Sequence, residues 1–150
     1  MKRISREFVR ANRDRIFLFG DNLAGKGFGG QAAAMRGEPN CVGIPTKKFP
    51  SSRDDAFFTD AEFEQNKAAV DRAFDGLFHK MSKAEQTIVI PADGLGTGRA
   101  QLTVRRCRTG VRIFHRIRCE GENSKSSRSW AMLSFESRTN LNRKRWTACG

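Results

Sequence analysis

The sequence predicts an α/β fold: a layered sheet flanked by helices, followed by an irregular basic C-terminal tail. Over residues 1–102, short apolar runs rich in β-branched and aromatic residues alternate with helical stretches. Such alternation is the pattern of a sheet covered by helices. Two of the runs empty into glycine-rich turns, at 25–30 and at 94–98. After residue 102 the composition jumps, and neither helical nor strand periodicity is sustained for more than about ten residues.

The elements follow in order. Residues 16–19, Ile-Phe-Leu-Phe, read as a strand that ends in Gly25-Lys26-Gly27-Phe28-Gly29-Gly30 and leads into an alanine-rich helix start at 31–35. Residues 41–44 read as a second strand, which Pro45 is expected to stop, and a loop is expected from 46 to 58. Thr59 and Glu62 have the spacing of a capping box, in which the hydroxyl takes an orphan N–H and the carboxylate reaches back. The helix this opens carries Phe63, Val70, Phe74, Leu77, Phe78 and Met81 at three- and four-residue intervals, a face expected to cover the sheet. Residues 82–86 turn the chain. The strand at 87–90 then delivers the second glycine loop at its carboxyl end, where open α/β sheets bind ligands. Glycines at Gly94, Gly96 and Gly98 let successive main-chain N–H groups converge on an anion with no Cβ in the way.

Length and apolar content fit one globular domain, expected over residues 1–118 with the basic tail at 119–150. No membrane span is present in the sequence, and the basic start at 1–6 is not followed by a long apolar stretch, so the expected location is cytoplasmic. Cys41, Cys107, Cys119 and Cys149 show no CxxC spacing, and His79 and His115 lack neighbours at ligand spacing; no metal site or cofactor is expected. The formal charge of +12 is uneven: residues 1–102 carry 16 basic and 13 acidic side chains, and residues 103–150 carry 12 and 3. The tail reads either as a basic arm that tracks a phosphate backbone, with Trp130 and Trp146 as stacking platforms, or as a poorly ordered tail translated from a shifted frame. The second reading is the preferred one.

Within residues 13–102 the order of the motifs resembles a macro domain. Gly25-Lys26-Gly27, then Pro45-Thr46-Lys47, then Gly94-Leu95-Gly96 is similar to the branch of DNA ADP-ribosyl glycohydrolase antitoxins and terminal ADP-ribose glycohydrolases. The segment at 19–23, Phe-Gly-Asp-Asn-Leu, is also similar to a set of uncharacterised bacterial and phage proteins. The resemblance implies an ADP-ribose site. Gly94, Leu95, Gly96, Thr97 and Gly98 would wrap the diphosphate, while Asn22 and the turn with Gly25, Gly27, Gly29 and Gly30 would border the distal ribose, with Thr46 beside it. Asp21 or Asn22 would bond the ribose hydroxyls or the adenine amine. Against this stands the plainer account that both residues cap the turn, as Asx residues often do.

The same resemblance gives Lys47 the chemistry at C1″ of the distal ribose. A buried lysine beside a second cation loses its proton more easily, and Lys48 is the neighbour expected to supply that cation. The alternative is that Lys47 and Lys48 are solvated loop lysines that attract an anion. Where the terminal ADP-ribose glycohydrolases carry an aspartate, this chain has Gly98, which points to the antitoxin side of the branch. Asp93, just before the glycine loop, is the second catalytic candidate. The function expected is hydrolysis of an ADP-ribosyl linkage on DNA or protein by a monomer. The alternatives are a non-catalytic reader of ADP-ribose and a basic nucleic-acid-binding protein.

Overall fold

The computed structural model describes residues 4–81, 87–91, 94–102, 130–134 and 147–148. Helix α1 (Arg6–Ala11) precedes strand β1 (Arg15–Asn22), the short helix α2 (Ala32–Met35) and strand β2 (Cys41–Lys47). Two 3₁₀ turns lead into helix α3 (Phe63–Met81), and strands β3 (Thr87–Pro91), β4 (Trp130–Ser134) and β5 (Thr147–Ala148) complete the sheet. The strand order is β2-β1-β3-β4-β5. β1 pairs parallel with both β2 and β3, whereas β4 runs antiparallel to β3 and β5 antiparallel to β4.

Why β1 is apolar without a break over residues 16–19 follows from its place inside the sheet. Alternate side chains of a strand leave on opposite faces. Ile16 and Leu18 therefore enter a core with Ile44, Val70, Leu77, Met81, Ile88 and Ile90, while Phe17 and Phe19 enter another with Val9, Met35, Cys41 and Val89. Both faces are covered, by α3 on one side and by α1 and α2 on the other, so the run is continuous rather than alternating. Helix α3 buries Val70, Leu77 and Met81 as its spacing predicts, with Phe74 packed against the same core; Asn66 and Ala69 are buried as well, and Phe63 and Phe78 are half-buried.

Polar contacts fix the small helices. The Ser5 hydroxyl accepts from the Phe8 N–H at 3.2 Å and caps α1. Arg6 and Arg10 both reach Oε1 of the buried Glu38, each at 2.9 Å, and so bind α1 to the segment after α2. Their positive charges, the hydrogen bond from Arg10 foremost, hold the Glu38 carboxyl below the usual carboxylate range.

The structure corrects three expectations. Pro45 does not stop β2, which runs on to Lys47. Among the described residues β2 pairs only with β1, so its outer edge needs no donor at that position, and Pro is tolerated on such edges. The capping box does not form: Thr59 makes no side-chain cap, and its hydroxyl instead donates to Glu62 Oε2 at 3.0 Å. Lys48 Nζ holds both oxygens of that carboxylate at 3.1 and 3.0 Å, which draws Glu62 away from the Thr59 main chain.

The third correction concerns the tail, expected to be irregular. Residues 130–134 pair with the whole of β3, from Thr87 opposite Ser134 to Pro91 opposite Trp130. Without them β3 would present an open edge, and Trp-Ala-Met-Leu-Ser has the composition to fill it. Amides of 130–134 bonded to β3 are thus expected to exchange slowly with deuterated solvent. Exchange at the rate of a free peptide would detach this segment from the sheet. Among the described residues no helix is long and apolar enough to cross a membrane.

Candidate functional site

Because β1, β2 and β3 are parallel, their carboxyl ends lie along one edge, and the segments that leave them meet there. Gly20 sits at the junction. A Cβ at that position would stand 3.2 Å from Thr46 Oγ1 and 3.7 Å from the Gly96 main-chain nitrogen, so β1, β2 and the glycine loop after β3 are in contact. The buried Thr46 hydroxyl donates to the Asp21 carbonyl at 3.0 Å, which joins β2 to β1 at this end.

The loop at 94–102 folds back on itself. Gly94 N–H donates to the Pro91 carbonyl, Gln101 N–H to Gly98 and Leu102 N–H to Gly96, all at 2.9 to 3.0 Å. Leu95 and Leu102 anchor the loop in the core beside α3. Gly96 has φ +84° and packs directly on Leu102, whose Cδ1 lies 2.5 Å from where a Cβ would be. Neither the angle nor the space admits another residue without movement. Among the described residues, nothing accepts from the main-chain N–H of Leu95, Gly96, Thr97 or Gly98. The Thr97 hydroxyl is turned inward, donating to the Gly94 carbonyl at 3.3 Å.

The turn at 25–30 is built on Asn22 and Arg36. Asn22 Nδ2 donates to the Lys26 carbonyl at 2.8 Å, its Oδ1 accepts from Lys26 N–H at 3.3 Å, and its own carbonyl accepts from Gly25 N–H at 2.9 Å. The amide group is thereby used at both ends in closing the turn. Asp21 is also engaged: its two carboxylate oxygens take the Arg36 guanidinium in a fork, and Oδ1 accepts from Asn22 N–H at 2.7 Å. Arg36 Nε donates at 2.8 Å to the Gly27 carbonyl, so the pair ties the glycine turn to the end of β1. Both residues therefore help to hold the turn: Asn22 closes it through both ends of its amide, and Asp21 ties it down through Arg36.

Replacing Asp21 by alanine is expected to free Arg36 and loosen the turn, at a cost of about 1–3 kcal/mol because a partly buried charge loses its partner. Chemical denaturation reads this directly. A midpoint equal to that of the unaltered chain would mean that Arg36 does not hold the turn.

Lys47 ends β2. Its Nζ donates to the Ser51 carbonyl at 2.9 Å and lies 5.4 Å from the centre of the buried Phe57 ring. Burial, and after it the charge of Arg99, holds the ammonium below the ordinary lysine value. The neighbouring cation is therefore Arg99, correcting the assignment to Lys48, which is neutralised by Glu62. Arg99 also touches the other glycine loop: its Nη1 stands 2.9 Å from the Cβ position of Gly29, and its Cδ 4.0 Å from that of Gly30. The third contact of the edge is Gly27 with Pro50, whose Cβ lies 3.0 Å from the Cβ position of Gly27.

The residues singled out in the sequence thus gather at one edge: Asp21, Asn22, Gly25, Gly27, Gly29, Gly30, Thr46, Lys47 and residues 94–98. Asp93 lies outside the described residues. Arg99, Gly20, Ser51 and Phe57 were not foreseen. Only Arg99 had a visible signal, a cation placed directly after the glycine loop. Two large apolar side chains stand exposed beside the edge, Phe28 at 68% and Phe49 at 50%. Among the described residues no group of His, Cys, Asp and Glu is arranged to hold a metal ion.

The family of unknown function DUF7831 matches residues 1–115, and the chain belongs to it. No curated protein and no solved structure matches the chain.

Proposed function

We propose that this member of the DUF7831 family binds ADP-ribose at the carboxyl edge of its sheet and hydrolyses an ADP-ribosyl linkage to a nucleobase or to an acidic side chain, as a macro domain. The observation that carries the reading is the meeting of two glycine-rich loops through Arg99, with N–H groups at 95–98 that have no acceptor among the described residues and Lys47 within reach of the same charge. Such N–H groups and an arginine suit a diphosphate. The lysine suits the sugar carbon next to it. As a free amine, Lys47 would attack C1″ while the bond from C1″ to the modified group breaks; as an ammonium, it would stabilise the departing group. On the amine route water then attacks C1″ and breaks the new bond between C1″ and Lys47 Nζ, which returns to the free amine; on the ammonium route water attacks C1″ directly, and in both the net result is a hydroxyl on C1″ and one proton from water on the leaving group.

The test is turnover of ADP-ribosylated DNA and ADP-ribosylated protein in parallel, with released ADP-ribose as the product measured. Release from either supports the hydrolase, and the preferred one names the substrate. Binding of ADP-ribose with no release from either favours the second reading, a non-catalytic reader. One observation favours that alternative: the Lys47 ammonium already has the Ser51 carbonyl and the Phe57 ring as partners. A chain that neither binds ADP-ribose nor releases it overturns both. Nucleic-acid binding through the tail is best examined by neutralising the tail arginines, because truncation after Leu102 would also strip β4 from β3.

A further inference from the structure

We propose that Arg99 is the phosphate-binding side chain of this edge, and that by gripping a phosphate next to Lys47 it restricts the site to phosphorylated ligands. The inference rests on the carboxyl edge being the ligand site, but not on ADP-ribose being the ligand or on hydrolysis. Arg6, Arg10, Arg36 and Arg53 each have a carboxylate within 3.5 Å. Among the described residues Arg13, Arg72 and Arg99 have none, and Arg99 is the one whose side chain reaches from the loop at 94–102 across to Gly29 and Gly30. After burial, its charge lowers the proton affinity of Lys47, a second cation whose ammonium has, among the described residues, a carbonyl and an aromatic face beside it.

Two cations with no carboxylate between them among the described residues repel, and an anion bound between them reverses the sign of that interaction. The N–H groups of residues 95–98 add neutral donors on the same loop. A guanidinium fork fits two oxygens of one phosphate, and its planar geometry selects for that group over a neutral hydroxyl. The lack of a side chain at Gly29 is what leaves room for it. Because Arg99 Nη1 is the atom a Cβ there would meet, a side chain at Gly29 displaces the guanidinium at little cost to the backbone.

The experiment is calorimetry on the full chain with inorganic pyrophosphate, ADP-ribose and adenosine, for the unaltered protein and for Arg99→Ala, Arg99→Lys and Gly29→Val, with thermal melts to verify folding. The unaltered chain is expected to bind pyrophosphate and ADP-ribose but not adenosine. Arg99→Ala is expected to lose both by about tenfold or more, Gly29→Val to follow it, and Arg99→Lys to recover only part, since an ammonium cannot reproduce the fork. Pyrophosphate affinity unchanged in Arg99→Ala overturns the proposal. So does strong adenosine binding by the unaltered chain.

These outcomes separate this inference from the hydrolase reading. If Arg99→Ala loses pyrophosphate while the unaltered chain binds ADP-ribose no better than pyrophosphate and releases none from modified substrates, Arg99 keeps its role and the hydrolase reading falls. If the unaltered chain and Arg99→Ala bind and hydrolyse equally, the hydrolase reading stands and Arg99 loses its role. An unaltered chain that binds neither pyrophosphate nor ADP-ribose removes both.

Discussion

Replacing Lys47 by alanine is expected to lower turnover of ADP-ribosylated substrate by about 100-fold or more, the scale of a lost nucleophile or proton donor, while ADP-ribose affinity falls less than about tenfold. The asymmetry follows from where the proposed contacts lie. Main-chain N–H groups at 95–98 and the Arg99 guanidinium would bind the diphosphate in ground and transition states alike, whereas Lys47 would act as the bond at C1″ breaks. Equal losses of affinity and rate would reduce Lys47 to an electrostatic tether. Full activity without it would end the proposed mechanism and leave Asp93 as the remaining candidate.

The pH profile separates the two ways Lys47 could act. Burial, and then Arg99, lowers its proton affinity in the folded chain. A free-amine nucleophile gives a rate that rises with pH through this lowered value; an acting ammonium gives one that falls there. Arg99→Ala should move the midpoint upward in either case. For stability the sign is also fixed. Between the lowered folded value and the ordinary lysine value, the unfolded chain binds more protons, so the cost of burying this ammonium disappears as pH rises through that window. Lys48→Ala should leave the profile alone and act on stability instead, since its charge is committed to Glu62 at the entry to α3.

Much of the fold was legible because apolar periodicity and burial are the same fact read twice. The apolar run at 16–19 reads as a strand and is one, and the spacing of Val70, Leu77 and Met81 reads as one face of a helix, which the core packing bears out. The gathering of the glycine turns also followed from topology, since parallel strands put their carboxyl ends together. What was not legible depended on partners distant in sequence. Thr59 and Glu62 have the spacing of a cap, yet Lys48, 14 residues before Glu62, takes the carboxylate. Nothing around Asp21 in the sequence announces its ion pair with Arg36, 15 positions on. Residues 130–134 carry no turn or motif that ties them to β3; only the open edge of that strand explains their place. The cation whose charge bears on Lys47 is not its sequence neighbour Lys48 but Arg99, in another loop.

The glycine loop offers the second large effect, and two of its glycines separate folding from binding. At Gly96, φ is +84° and a Cβ would stand 2.5 Å from Leu102 Cδ1, so Gly96→Val strains the backbone and pushes a core residue. That is expected to cost about 2–4 kcal/mol and to disorder the loop, so lost binding in this variant reports on structure as much as on ligand approach. Gly98 differs: nothing lies within 4 Å of its Cβ position and its φ is not in the left-handed region. Gly98→Val should therefore leave the denaturation midpoint within about 0.5 kcal/mol of the unaltered chain. If the N–H groups of this loop hold a diphosphate, the new side chain occupies the space an anion needs, and ADP-ribose affinity should still fall at least about tenfold. Gly98→Val that is stable and binds ADP-ribose as the unaltered chain does would take the diphosphate away from this loop, whatever Gly96→Val does.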